Sequence, residues 1–184
     1  MNTQWIKGAL SIAAVGILAG CSTAPSLMGQ AQFDQSQLPA AVQVPAGHKM
    51  VLETVGVGQI TYECKAAADG KVAWTFAGPE AKLIERNNKQ VGRYFGPPAT
   101  WAHTDGSAIT GTQLAVAPGG DGNIPMQLVK ANPATGQGMM TGVTYVQRIR
   151  TRGGVAPALP CGTGNVGARS VVNYQADYLF YKAA

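Results

Sequence analysis

Apolar and polar side chains alternate, one residue after another, in two well-separated stretches of this chain. Between residues 59 and 65 one face carries Ile60, Tyr62 and Cys64, and the other face carries polar side chains. Near the C-terminus the same alternation places five residues on one face: Val172, Tyr174, Ala176, Tyr178 and Phe180. A period of two is the spacing of a β-strand with one buried face. Both stretches are therefore predicted strands whose apolar faces belong to the core.

Turn-forming residues separate the remaining apolar runs. The 184 residues include 24 glycines and 11 prolines, and only 12% of the residues are charged. Such a composition favours short strands joined by turns over helices, and no long segment has the period of an amphipathic helix. We therefore predict an all-β fold of about eight to ten short, mainly antiparallel strands, arranged as a sandwich or a partly closed barrel.

The N-terminal segment is typical of a lipoprotein signal peptide. An apolar run over residues 9–19 follows the positive charge of Lys7 and ends in Leu18-Ala19-Gly20-Cys21. The run is shorter than the stretch of about 20 apolar residues that crosses a bilayer, and its form is that of a cleaved signal. We predict that residues 1–20 are removed and that the Cys21 thiol carries a lipid such as palmitate. The alternative is an ordinary secretory signal in which Cys21 occurs by chance.

Residues 21–44 form a predicted flexible tether, because this stretch is rich in glutamine, is interrupted by prolines and has no apolar period. The rest, residues 45–184, is a predicted single β-rich domain. Ser22 occupies the position after the lipidated cysteine, where an aspartate would indicate retention in the inner membrane. We therefore expect a lipid-anchored cell-envelope protein at the outer membrane, facing the periplasm.

Two of the three cysteines remain once the lipid has taken Cys21. An oxidising compartment outside the cytoplasm preserves disulfides, so we expect Cys64 and Cys161 to be joined. Closing the long loop between them contributes about 4 to 5 kcal/mol in the chain-entropy model. The alternative, two free thiols in a catalytic or metal-binding pair, has little support because the chain has no C-x-x-C motif and its two histidines have no ligand spacing to either cysteine.

The charge and the glycine motif exclude two classes of ligand. A net charge of +5 is compatible with contact to anionic lipid or phosphate, but it is too small for a nucleic-acid-binding domain. The stretch Gly162–Gly167 matches G-x-G-x-x-G, yet a dinucleotide site needs a strand before the motif and a helix after it. Here an alternating strand follows, so we predict no nucleotide cofactor and no other cofactor or metal.

A polar corner at the end of a strand is one candidate site. Trp101, His103 and Asp105 alternate, and Asp105 begins the Asp-Gly pair of a predicted tight hairpin. These side chains point to a common face and are able to hold a ligand. The plainer interpretation is that His103 and Asp105 serve only the hairpin.

Three alternating arginines form the second candidate. Arg148, Arg150 and Arg152 share one face of a predicted strand and together form a ladder of guanidinium groups able to bind an anion. The plainer interpretation is a cross-strand salt-bridge face, with acids supplied by other strands, such as Glu53, Glu63 or Glu85.

Several motifs together resemble one protein family. They are residues 58–64 (GQITYEC), residues 94–97 (YFGP) with Trp101, residues 145–148 (YVQR), residues 153–157 (GGVAP) with Cys161, and the final alternating tyrosines. This set is similar to the domain of unknown function 3455 family of exported bacterial and fungal proteins. The resemblance covers the predicted folded domain and implies no established activity.

Two hypotheses of different classes follow. The first is a non-catalytic, lipid-anchored β domain that binds a partner, such as an anionic component of the envelope, or has a structural role. The second is a small periplasmic hydrolase or redox enzyme that uses the His103/Asp105 corner. An enzyme requires this corner to lie in a pocket beside a nucleophile or a second acid.

Overall fold

The computed structural model describes Met1 and residues 34–184. The predicted signal peptide, the lipidated Cys21 and most of the predicted tether lie outside the described residues. Within the part that is described, none of the helices has the length and apolar character needed to cross a membrane.

Residues 34–184 form eight antiparallel strands in one closed barrel, with each strand beside its neighbours in the sequence. The strands are β1 (His48–Ala66), β2 (Val72–Ile84), β3 (Gln90–Phe95), β4 (Thr100–His103), β5 (Ala108–Ala117), β6 (Met126–Ala131), β7 (Val143–Gly153) and β8 (Arg169–Ala183). The predicted all-β class and strand number are confirmed. Of the two predicted architectures the barrel is correct, and it closes fully because β8 pairs with β1.

The closing pair is long and depends on small residues. Strands β1 and β8 pair from His48, which lies opposite Ala183, to Glu63, which lies opposite Arg169. A Cβ atom built on Gly56 would lie 2.4 Å from the ring of Tyr178. Because the aromatic side chains of β8 point inward against this part of β1, the barrel needs glycine there, and small and large residues alternate in its interior.

The barrel interior is filled with side chains. The predicted inward face of β8 is confirmed, since Tyr174, Ala176, Tyr178 and Phe180 are all buried in one core cluster. The loops at the two ends also contribute: Ile124 lies between β5 and β6, and Met140 between β6 and β7. Successive antiparallel connections lie at opposite ends of a barrel, so the core is capped at both ends.

Residues 34–44 pack on the outside of the barrel, and we call this segment the strap. It departs from the predicted flexible tether, since Val42 is fully buried against Ala117 and Leu128. The strap consists largely of two 3₁₀ turns, Gln35–Gln37 and Ala40–Val42. Irregular turns leave no periodic signal in the sequence, which explains why its few apolar residues were not predicted to be buried.

A glutamine network fastens the strap to β7 and β8. Gln35 Nε2 donates to the Tyr181 hydroxyl at 2.6 Å, and Gln147 Nε2 donates to Gln35 Oε1 at 3.0 Å. Burial raises the pKa of Tyr181 to about 12, although the bond from Gln35 acts in the opposite direction. The glutamine side chains therefore satisfy polar groups that the strap covers, as buried polar groups require.

Substitution of Val42 tests whether the strap stabilises the barrel. V42A removes two buried methyl groups, so the free energy of unfolding should fall by about 2 kcal/mol. Urea unfolding followed by tyrosine and tryptophan fluorescence measures the change. V116A is the matched control, because Val116 is exposed on β5 and surface substitutions alter stability by less than about 0.5 kcal/mol. Equal effects of the two variants would mean that the strap contributes nothing.

Candidate functional site

Trp101 belongs to the core and not to a surface corner. Its ring is buried and stacks on Tyr94, with the ring centroids 4.8 Å apart. On β4 it lies opposite Tyr94 on one side and Ile109 on the other, and both are core residues. The indole Nε1 has no hydrogen-bond acceptor among the described residues. The predicted grouping of Trp101 with His103 and Asp105 is therefore not found as a common ligand site.

His103 and Asp105 are in contact, and a third side chain joins them. His103 Nδ1 lies 2.9 Å from Asp105 Oδ2. The other carboxylate oxygen accepts hydrogen bonds from the hydroxyl and the backbone N–H of Ser107, at 2.6 and 2.9 Å. Asp105 Oδ2 also accepts from the N–H of Met139 at 2.7 Å. These bonds, that of the Ser107 hydroxyl first, hold the pKa of the Asp105 carboxyl well below its usual range.

The order of these groups differs from that of a catalytic triad. In a triad the imidazole lies between the hydroxyl and the carboxylate, and so takes the proton of the hydroxyl. Here the carboxylate of Asp105 lies between the other two groups. The Ser107 hydroxyl is buried, donates to the carboxylate and accepts the N–H of Met140 at 3.1 Å. We call this unit of His103, Asp105 and Ser107 the clasp, because it ties the β4–β5 hairpin to the β6–β7 loop.

The three arginines do not form a ladder. Arg148 lies opposite the inward-facing Tyr178, and its guanidinium donates to the Pro125 carbonyl at 3.2 and 2.9 Å. Arg150 pairs with Asp177 at 2.8 Å and lies 3.7 Å from Glu53, so it fits the salt-bridge interpretation.

A β-bulge is the reason the ladder fails. Between Ile149 and Arg152 the register with β8 shifts by one residue, and Arg150 in the bulge has a φ of +47°. An extra residue reverses which face the following side chains occupy. Arg148 therefore points inward, whereas Arg152 points outward.

The inward position of Arg148 influences the buried tyrosines. The hydroxyls of Tyr174 and Tyr178 lie 3.2 Å apart inside the barrel. Burial raises the pKa of both side chains, and the nearby Arg148 charge offsets part of that rise. Arg148 thus supplies a positive charge beside polar groups in the core.

Cys64 and Cys161 form the predicted disulfide, with their Cα atoms 5.6 Å apart. It fastens the β7–β8 loop to β1. The same loop contains the glycine motif, which forms the 3₁₀ turn Thr163–Asn165. Asn165 closes this turn by accepting the N–H of Gly162 at 2.6 Å and donating to the Pro160 carbonyl at 2.7 Å. Strand β8 then begins at Arg169, so no helix N-terminus faces the motif.

A groove on the outer face of the barrel is the remaining candidate. It has a volume of about 630 Å³ and runs over β1, β2, β8 and the end of β7. Its lining consists of Val57, Gly58, Gln59, Glu80, Ala81, Lys82, Arg152, Asn173, Tyr174 and Gln175. Of the sequence-predicted site residues, only Arg152 lies in it.

Two cations of the groove are unpaired. Within residues 34–184, Lys82 and Arg152 have no acidic partner, whereas Glu80 accepts two hydrogen bonds from Arg93, at 3.1 and 2.7 Å. Across the same described range, no cluster of three or more histidine, cysteine or acidic side chains is arranged to hold a metal ion. The groove therefore has an excess of positive charge and suits an anion.

Sequence reasoning missed most of the groove for a clear reason. Its residues come from four strands and are brought together only by cross-strand register. The alternating pattern does place Gln59, Asn173 and Gln175 opposite the core face, which is the one signal the sequence holds for them. The register itself depends on loops and bulges that alternation does not reveal.

Comparison with known proteins identifies one family. A family model described as a protein of unknown function (DUF3455) matches residues 45–182. No curated protein and no solved structure matches the chain.

Because the clasp contains the Asp105 carboxylate, the free energy of unfolding should depend on pH under acidic conditions. The pKa of Asp105 is lower in the folded chain than in the unfolded chain. The contribution of the Asp105 carboxylate to the free energy of unfolding is therefore complete above about pH 4 and is lost as the pH falls further. The unfolding free energy of the wild type should fall more steeply from about pH 4 to pH 2 than that of D105N, measured by denaturant unfolding. D121N, at an exposed loop residue, should keep the wild-type slope. Parallel curves for D105N and the wild type would contradict the assignment.

Proposed function

This chain belongs to the DUF3455 family of proteins of unknown function, and we propose that it is a lipid-anchored protein of the cell envelope whose β-barrel binds a partner without catalysing a reaction. The anchor is a lipid on Cys21, placed in the outer membrane with the barrel facing the periplasm. The partner is an anionic component of the envelope.

The Cys64–Cys161 disulfide is the observation that carries this proposal. Disulfides form and persist in oxidising compartments and are rare in the cytoplasm, so a disulfide between strand β1 and the β7–β8 loop supports an exported protein. The Leu18-to-Cys21 sequence supports lipidation of that exported chain, and Ser22 supports the outer membrane.

The clasp and the groove support binding over catalysis. The Asp105 carboxylate already accepts hydrogen bonds from Ser107 and Met139 and contacts His103. The alternative of a hydrolase or redox enzyme would need these groups to act on a substrate, yet the Ser107 hydroxyl is committed to Asp105 and is buried. The groove, in contrast, presents Lys82 and Arg152 to solvent.

Substitution of Cys21 tests the anchor. Wild-type protein should sediment with the membrane fraction and have a mass that includes acyl chains. C21S should give soluble protein, or else protein that retains the signal peptide, because the acceptor thiol is missing. Cell fractionation and intact mass spectrometry measure both. S22A keeps the thiol and should remain lipidated. C21S protein at its mature mass in the membrane fraction would refute lipid anchoring through this residue.

A further inference from the structure

Cross-strand register places the groove residues in two parallel rows on the outer face of the barrel. The first row, from β3 to β7, consists of Arg93, Lys82, Val57, Gln175 and Arg152. The second row, from β2 to β8, consists of Glu80, Gln59 and Asn173. Adjacent strands are about 4.8 Å apart, so Lys82 and Arg152 are about 14 Å apart along the first row. The two rows are about 7 Å apart, because they differ by two residues on each strand.

The charges of the first row are unfavourable without a ligand. Lys82 lies directly opposite Arg93, and like charges directly opposite each other destabilise a sheet. Only Arg93 has a counterion, Glu80 at 2.7 Å. Within residues 34–184, the charges of Lys82 and Arg152 are not balanced by any acid. A bound anion would remove this repulsion, and the forked guanidinium of Arg152 matches a carboxylate with two parallel hydrogen bonds.

The side chains between the two cations are suited to a peptide. Gln59 Nε2 donates to Asn173 Oδ1 at 3.2 Å, which leaves Gln59 Oε1 as an acceptor and Asn173 Nδ2 as a donor. Gln175 adds a third amide, and Val57, which is 44% exposed, adds an apolar contact. Amide groups pair with the N–H and C=O groups of a peptide backbone, each of which needs a partner when water is displaced.

The spacing of the two cations fits an extended peptide. Lys82 and Arg152 are about 14 Å apart along the first row, which is the length of about four residues of an extended peptide. One extended acidic segment can therefore reach both cations.

We propose that the groove binds an acidic peptide segment whose carboxylates contact Lys82 and Arg152, such as the peptide stems of peptidoglycan. This rests on the proposed function as a binding domain of the envelope. It extends that function by naming the site and the chemistry of the ligand, and it replaces the three-arginine ladder with a site that contains only Arg152 of the three.

Co-sedimentation with isolated peptidoglycan sacculi tests the proposal. The mature lipidated protein, purified from membranes in detergent, should sediment with sacculi, and added salt should weaken the binding because it screens charges. K82Q/R152Q should weaken it at least about tenfold, the cost of about one charge-assisted hydrogen bond. K49Q/K89Q is the matched control: it removes the same charge from two exposed lysines outside the groove, and should retain binding within about twofold.

The outcomes separate the alternatives. If both double variants lose binding to the same extent, the loss is due to net charge and not to the groove, and the proposal is overturned. Poly-L-glutamate should displace the protein from sacculi, whereas inorganic phosphate at equal ionic strength should not; equal competition by phosphate would overturn the peptide assignment. If the wild-type protein is lipid-anchored but does not sediment with sacculi, binding by the groove is refuted and the lipid anchor is not. Retention of mature C21S protein in the membrane fraction would instead refute the anchor, whatever the sacculus result.

Discussion

The pairing of β1 with β8 is the constraint on which the rest of this structure depends. It joins the first and last strands of the domain, and so removes the two edges that an open eight-stranded sheet would expose. Closure brings the aromatic side chains of β8 against β1, and the absence of a side chain at Gly56 makes room for the ring of Tyr178. The core and the closure therefore require each other. The same pairing sets Val57 opposite Gln175 and Gln59 opposite Asn173, so the centre of the groove is a direct product of closure.

The two ends of the barrel need additional bonds, because their loops lie outside the strand ladders. At one end the clasp holds the β6–β7 loop, and Met140 from that loop fills the core. At the other end the Tyr62 hydroxyl donates to the Gly154 carbonyl at 2.8 Å, and the disulfide fastens the remainder of the β7–β8 loop. A histidine, an aspartate and a serine in contact can thus serve packing alone. Their residue types suggest catalysis, but the carboxylate lies between the other two groups, which differs from the order in a catalytic triad.

The properties that could be predicted from the sequence are those that depend on the types and the spacing of residues along the chain. Alternation identifies the buried face of β8, because each side chain of a strand points opposite to the one before it. The disulfide followed from the cysteine count and the expected compartment. The strap was missed because Val42 is buried by an irregular turn with no period. The bulge at Arg150 was missed because nothing in the side chain of an arginine indicates a positive φ. The groove residues lie on separate strands, and their register depends on such irregularities, which the pattern of any one strand does not encode.

The bulge in β7 explains how one strand serves two different surfaces. Before it, Gln147 and Ile149 face outward and lie beneath the strap, among apolar residues. Without the bulge the next outward residue would be Thr151, and Arg152 would face the core, as Arg148 does. The extra residue reverses this order: Thr151 becomes buried, with its hydroxyl unpaired within the described residues, and Arg152 reaches the groove. The bulge therefore leaves one buried hydroxyl without a partner within the described residues, at a cost of about 1 to 3 kcal/mol. It also sets Arg152 in the same row as Lys82, about 14 Å away, which is the arrangement that the proposed ligand requires.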